Sequence, residues 1–196
     1  MADDFSQEAI PEPVAERVAA CVDYVARAVG MPLDFLPETL PLVDHYLSLV
    51  RQSAAERESV RPLVAHAVGA YFGEVVRRRL GGFWRIASPN PIDWELCSSS
   101  VFLSFNPIGV AFDAMLQDTE HEGPSSRLRV APDEHWLVAR RLAEVPEVPE
   151  DEYYLLTTRL EAIEIVAETL RAELEARGYS EVEFTPEDYD AELRPV

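Results

Sequence analysis

Between Arg61 and Leu80 the sequence RPLVAHAVGAYFGEVVRRRL places apolar residues over most of a helix circumference and small residues at every fourth position. Leu63, Val64, Ala67, Val68, Tyr71, Phe72, Val75 and Val76 recur at threes and fours, which predicts one broad apolar face. Ala65, Gly69 and Gly73 form a ridge at i, i+4 and i+8, low enough for a neighbouring backbone to approach closely. Arg77, Arg78 and Arg79 fall in the last turn, where the helix dipole favours cations, and Gly81-Gly82 ends the helix. A helix this apolar and this notched has to be central, with the remaining elements arranged around it.

Those elements are mostly helical. Pro11 to Ala28 repeats Val14, Val18, Cys21, Val22 and Val25 at helical spacing and stops at Gly30. A second helix is expected from Pro37 to Gln52, with Leu40, Val43, Tyr46, Leu47 and Val50 on its apolar face and Pro41 in the tolerant first turn. Ser53-Ala54-Ala55-Glu56 has the form of a capping box. The period then changes. Phe83–Ala87, Trp94–Ser98 and Val101–Phe105 read as short strands, with Ser98-Ser99-Ser100 as a hairpin turn and Arg127–Val130 as a possible fourth strand. Asn106-Pro107 opens a helix to Leu116, and Pro132 opens one to Leu142. Asp151–Arg177 reads as the longest helix, followed by a short strand Glu181–Phe184 and a last helical turn opened by Thr185. The fold class expected is α+β, helix-dominated, with a three- or four-stranded antiparallel sheet packed on the central helix. Three segments are expected: a disordered N-terminus (1–10), an α+β core (11–143) and an acidic C-terminal helical segment packed on the core (144–196).

Charge narrows the function classes. The chain has 36 acidic residues against 17 basic ones, a net charge of −19, and every basic residue is Arg. Without Lys there is no Schiff-base lysine, P-loop lysine or lysine general base; a GC-rich genome is the plainest source of the bias. Such a charge disfavours nucleic acids and anionic membranes, whose affinity comes largely from phosphate neutralisation, and favours basic partners. From Leu142 onward there are 16 acidic residues and 4 Arg, a net charge of −12. That tail reads either as a solvated helix face or as a docking surface for a basic protein. The apolar runs are too short to span a membrane. The acidic start, Met1 to Asp4, does not resemble a secretory signal. Two cysteines, Cys21 and Cys97, do not make a disulfide framework, and both are expected as buried free thiols in a cytoplasmic protein.

Catalytic patterns are missing. No nucleophile elbow, Walker A loop or dinucleotide fingerprint occurs. His45, His66, His121 and His135 have no metal-binding spacing, so neither metal nor cofactor is expected. Two clusters remain. Glu74, Arg77, Arg78, Trp84, Arg85 and Trp94 come from the end of the central helix and the strands after it. They read either as a recognition surface anchored by Trp and Arg, or as tryptophans packed in the core beside surface ion pairs. His66 and Glu74 lie two turns apart on that helix and make the best pair for acid–base chemistry.

Around these residues the chain carries Leu33-Asp34-Phe35, a helix of the form E-T-L-x-x-V-D-x-Y-L (Glu38 to Leu47), Gly69-Ala70-Tyr71-Phe72-Gly73-Glu74, a following Trp84, and Phe105-Asn106-Pro107. Over residues 30 to 118 it resembles a loose group of uncharacterised bacterial proteins, a domain of unknown function. The group carries no assigned activity, so the resemblance implies a domain type and a bacterial origin, and the acidic tail lies outside it. The leading expectation is a non-enzymatic binding protein, immunity- or antitoxin-like, with an acidic surface for a basic partner. The alternative is a small hydrolase-like enzyme using the His66–Glu74 pair.

Overall fold

A computed structural model of the chain describes residues 10–53, 58–179 and 181–192. In chain order its elements are α1 (Glu12–Val29), α2 (Leu40–Ser53), α3 (Arg61–Leu80), β1 (Phe83–Ile86), β2 (Trp94–Cys97), β3 (Leu103–Phe105), α4 (Pro107–Leu116), β4 (Arg129–Val130), α5 (His135–Ala143), α6 (Glu150–Tyr153), α7 (Leu156–Ala176) and α8 (Pro186–Glu192). The fold is helix-dominated α+β, with one four-stranded antiparallel sheet in the order β1-β2-β3-β4. Ser53 closes α2; the rest of the expected capping box (54–56) and all but Ile10 of the N-terminal segment expected to be disordered lie outside the described residues.

Helix α3 is central. From Val64 to Arg77 every side chain except His66 is buried, so the helix is enclosed on all sides. Leu63 departs from its expected place on the apolar face, being 56% exposed at the position just before the enclosed stretch. The glycine ridge explains how neighbours come so close. A Cβ on Gly69 would lie 2.6 Å from the Ile108 Cα and 2.7 Å from the Pro107 carbonyl oxygen, so α4 crosses α3 backbone to backbone at that point. At Gly73 the indole ring of Trp84 fills the space a side chain would take.

The sheet has two unlike faces because strand residues alternate. Register pairs Trp84 with Leu96, and Leu96 with Phe105, on the face that meets α3; Phe72 and Phe105 meet edge to face at 6.3 Å between ring centroids. Arg85 pairs with Glu95, and Ser104 with Arg129, on the opposite face. The outer face therefore carries charge across three of the four strands.

The long C-terminal helix expected from Asp151 to Arg177 is two helices, α6 and α7, broken at Tyr154-Leu155. The reason is a cap from a distant segment. Asp44 on α2 accepts hydrogen bonds from the backbone N–H of Leu156 (2.8 Å) and Thr157 (3.4 Å) and from the Thr157 hydroxyl (3.3 Å). A carboxylate on these orphan donors, at the positive end of the helix dipole, sets the start of α7. Leu160, Ile163, Val166, Ala167 and Leu170 then seal α7 onto the core. Burial pushes the Asp44 carboxyl above its ordinary value, and these hydrogen bonds pull against that shift.

The expected strand Glu181–Phe184 is irregular chain. It keeps one ladder-like bond, from the Phe184 N–H to the Ser99 carbonyl at 2.8 Å. What fastens this end of the chain is Tyr189 of α8, which is 1% exposed. Its hydroxyl accepts from the Leu103 N–H (3.0 Å) and donates among the carbonyls of Ser98 (2.7 Å), Leu103 (3.0 Å) and Val101 (3.1 Å). Its ring stacks on Phe102 at 4.5 Å. The phenol thus reinforces a β2–β3 turn whose backbone is closed by the Ser98 N–H on the Leu103 carbonyl and the Leu103 N–H on the Val101 carbonyl, both at 2.9 Å. Tyr189→Phe keeps the ring and removes the hydroxyl from which the Ser98 carbonyl accepts at 2.7 Å, so it is expected to lower stability by about 0.5–1.5 kcal/mol. Urea unfolding should show this as a lower midpoint with an unchanged slope.

Candidate functional site

The six residues of the arginine–tryptophan cluster separate into a buried knot, a core residue and an outer-face residue. Glu74 is fully buried on α3. Arg77 approaches it as a fork, Nε to Oε1 at 2.9 Å and Nη2 to Oε2 at 3.1 Å. The Trp84 indole N–H donates to the same Oε1 at 2.7 Å, and Arg78 Nε lies 3.5 Å from Oε2. The carboxylate is saturated. Its partners sit one turn along the same helix and on the next strand, which is why the sequence brings them together without a long-range search. Arg78 also lies 3.7 Å over the ring of Phe35, a residue held at φ 68° by donating its N–H to the Tyr71 hydroxyl at 3.0 Å.

Trp94 is 1% exposed, meets Trp84 edge to face, and donates to the Ser88 carbonyl at 3.0 Å. Arg85 is on the other side of the sheet, bonded to Glu95 at 3.0 Å and to Asp190 of α8 at 2.7 Å. With Trp84 at 8% exposure, neither tryptophan presents a face to a partner.

The histidines are dispersed. His66 is half-buried edge-on to Phe112, and burial, followed by the nearby Arg17 charge, pushes its pKa down. It stands about 12 Å along the helix axis from Glu74, whose oxygens are already taken. His121 donates from Nε2 to Asp113 Oδ1 (2.8 Å) and accepts the Gly123 N–H at Nδ1 (3.0 Å). Asp113 also takes the Ser126 hydroxyl (2.5 Å) and Arg159 (3.2 Å). Ser, His and Asp therefore meet here, but Ser126 and His121 each bond to Asp113 and not to each other. A nucleophile needs its base within reach, so this arrangement holds a loop in place and does not activate a serine. His45 and His135 are exposed. Among the described residues no group of three or more His, Cys, Asp or Glu side chains could hold a metal ion. Both cysteines are free and buried; burial raises both thiols, Cys97 to about 12.

Two surfaces remain open to a partner. The first is a concavity of about 580 Å³ on the outer face of the sheet, between β3, β4, the 124–128 loop and α8. Its charged lining is Glu95, Arg127, Arg129 and His135, and Phe102, Ile92 and Leu128 supply apolar surface. Glu95 is held by Arg85 and by Arg129 at 2.5 Å. Sequence reading marked Arg85 and the strand Arg127–Val130 separately. It could not join them, because the pairing of β3 with β4 and the docking of α8 are long-range.

No family model, curated protein or solved structure matches the chain. Its function is therefore read from its own geometry.

The second surface is acidic. On α7, Glu161, Glu168 and Glu175 are exposed and fall seven residues apart, on one stripe about 21 Å long. No ion pair joins any of the three to a cation among the described residues, whereas Glu164 beside them is bridged to Arg79 at 2.6 Å. Glu147, Glu150, Asp151, Glu152, Glu181 and Glu183 extend the exposed acid on either side in sequence.

One carboxylate at the base of α5 behaves differently. Glu134 is 6% exposed; burial, then the adjacent Asp133 charge, pushes its pKa up, against the pull of Arg177. The fold thus favours the protonated acid. In the unfolded chain the group ionises at lower pH, so the penalty on folding grows as pH rises through the carboxylate range and is constant above it. Glu134→Gln is expected to raise the unfolding temperature at neutral pH and to change it little near pH 3, where both states are protonated. Calorimetry at the two pH values checks this.

Proposed function

We propose that this chain is a non-enzymatic interaction protein of the bacterial cytosol whose C-terminal acidic face receives a basic protein, as an immunity protein or antitoxin covers a basic toxin. The observation that carries the reading is the α7 stripe: exposed carboxylates at regular spacing, in no ion pair among the described residues of a protein that pairs many of its other acids. Uncompensated charge of one sign along a rigid helix raises the local potential and speeds encounter with a partner of opposite sign. It also discourages association with nucleic acid. Free, buried cysteines suit a reducing compartment. No helix among the described residues is long and apolar enough to cross a membrane. The bacterial origin rests on the resemblance over residues 30 to 118.

The test is capture from host-cell extract at low salt, with the intact chain and with a Glu161→Gln/Glu168→Gln/Glu175→Gln variant side by side. All three side chains are exposed, so the variant keeps its fold. The expected result is a basic protein retained by the natural chain, released by added salt and retained several-fold less by the variant. Retention of no basic protein above background, or equal retention by both, overturns the proposal.

A further inference from the structure

We propose that the concavity on the outer face of the sheet is a binding site for a small aromatic carboxylate, a function separate from the acidic docking face. Its volume of about 580 Å³ falls in the range of roughly 300–1,000 Å³ typical of small-molecule pockets, and its lining mixes apolar side chains with charged and polar ones in similar measure.

The charge of the site decides the ligand. Glu95 could repel an anion, but Arg85 and Arg129 both hold it, and Asp190 is taken by Arg85. Those two carboxylates and two guanidiniums cancel. Arg127 is then left over: its backbone N–H is bonded to the Ser125 hydroxyl at 3.3 Å, while its exposed guanidinium has no ion-pair or hydrogen-bond partner among the described residues. One unsatisfied fork donor in a chain of net charge −19 makes this a local positive spot on a negative molecule. A guanidinium presents parallel donors that match a carboxylate better than a point charge would. His135 lines the same cavity and offers a ring N–H as a second donor.

Shape decides the rest. Phe102 lines the cavity with Leu128 and Ile92, and Ile92 is 39% exposed at the rim. An aromatic wall favours a flat ring stacked or edge-on against it. The ligand is thus read as one ring system carrying one carboxylate, with the carboxylate toward Arg127.

The experiment titrates the intact protein with 1-naphthoate and with neutral 1-naphthamide, followed by amide chemical shifts. Naphthoate is expected to bind, with shifts centred on β3, β4 and residues 124–128, and the amide to bind at least about tenfold more weakly, as loss of a charge-assisted bond implies. Arg127→Gln removes a guanidinium that bonds to nothing among the described residues, so the fold survives, and the naphthoate affinity should fall about tenfold. Arg140→Gln, outside the cavity, should leave it unchanged. The proposal is overturned by absence of naphthoate binding at millimolar concentration, by shifts centred elsewhere, by equal affinity for the amide, or by an Arg127→Gln affinity equal to that of the natural chain.

Discussion

Glu74→Leu is expected to destabilise the protein by about 3–5 kcal/mol, because it leaves a guanidinium buried without its counter-charge. Arg77 is only 4% exposed in its side chain and loses both of its bonds, and the Trp84 indole N–H loses its acceptor. Leucine fills most of the volume, so the loss is electrostatic and not a cavity effect. Two companion variants separate the contributions. Glu74→Gln keeps an acceptor for Trp84 but not the charge, and should be milder. Glu74→Leu/Arg77→Met removes both charges and should recover much of the loss, since an apolar pair of similar size often replaces a buried ion pair at little cost. With Arg77→Met alone added, denaturant unfolding of the natural chain, Glu74→Leu, Arg77→Met and the double variant closes a double-mutant cycle; a coupling energy near zero would mean that the fork between Glu74 and Arg77 is incidental.

The second large effect is Gly69→Ala. Helix propensity alone predicts a gain of about 1 kcal/mol, since glycine is the poorer residue in a helix interior. The crossing of α4 predicts the opposite sign. The new methyl would fall 2.6 Å from the Ile108 Cα and 2.7 Å from the Pro107 carbonyl oxygen. Both are backbone atoms, and neither can rotate away. Overpacking of this kind costs about 1–3 kcal/mol, so the net effect is expected to be destabilising. Thermal unfolding checks the sign; a raised melting temperature would mean that α3 and α4 separate easily. For Gly73→Ala the obstacle is the Trp84 ring, so a shifted tryptophan emission should accompany the loss of stability.

These two variants lie on features of different legibility. The Ala65-Gly69-Gly73 ridge is visible as a spacing of four, and a spacing of four on a buried helix has few other uses, so close approach of a neighbour could be expected from residues alone. The strands around Trp84, Trp94 and Phe105 were legible for the same reason, since a change of period is local. What covers a glycine, or satisfies a carboxylate, is not local. Asp44 sets the start of α7 from 112 residues away, so the break at Tyr154-Leu155 has no signature in its own neighbourhood. Tyr189 reaches back 86 residues to the Leu103 N–H, which is why residues 181–184 read as a strand when the docking belongs to a single phenol. The candidate sites divide in the same way. Glu74, Arg77 and Trp84 were grouped correctly as neighbours, because they are helix turns and a following strand; whether they faced water or each other depended on the packing of α3. The concavity of Arg127, Arg129 and Glu95 needed the strand order and the position of α8.

The acidic tail was legible as composition, but the α7 stripe was not, because the boundaries of that helix depend on Asp44. With Glu161, Glu168 and Glu175 in phase on one exposed face, the most direct measurement is the dissociation constant of the captured basic protein as a function of ionic strength. Contacts made through exposed charge weaken as the Debye length shrinks from about 14 Å at 0.05 M to about 6 Å at 0.3 M. The constant is expected to rise roughly tenfold or more over that interval, with a shallower slope for the Glu161→Gln/Glu168→Gln/Glu175→Gln variant. A salt-independent constant, identical in the two proteins, would contradict an acidic docking face on α7.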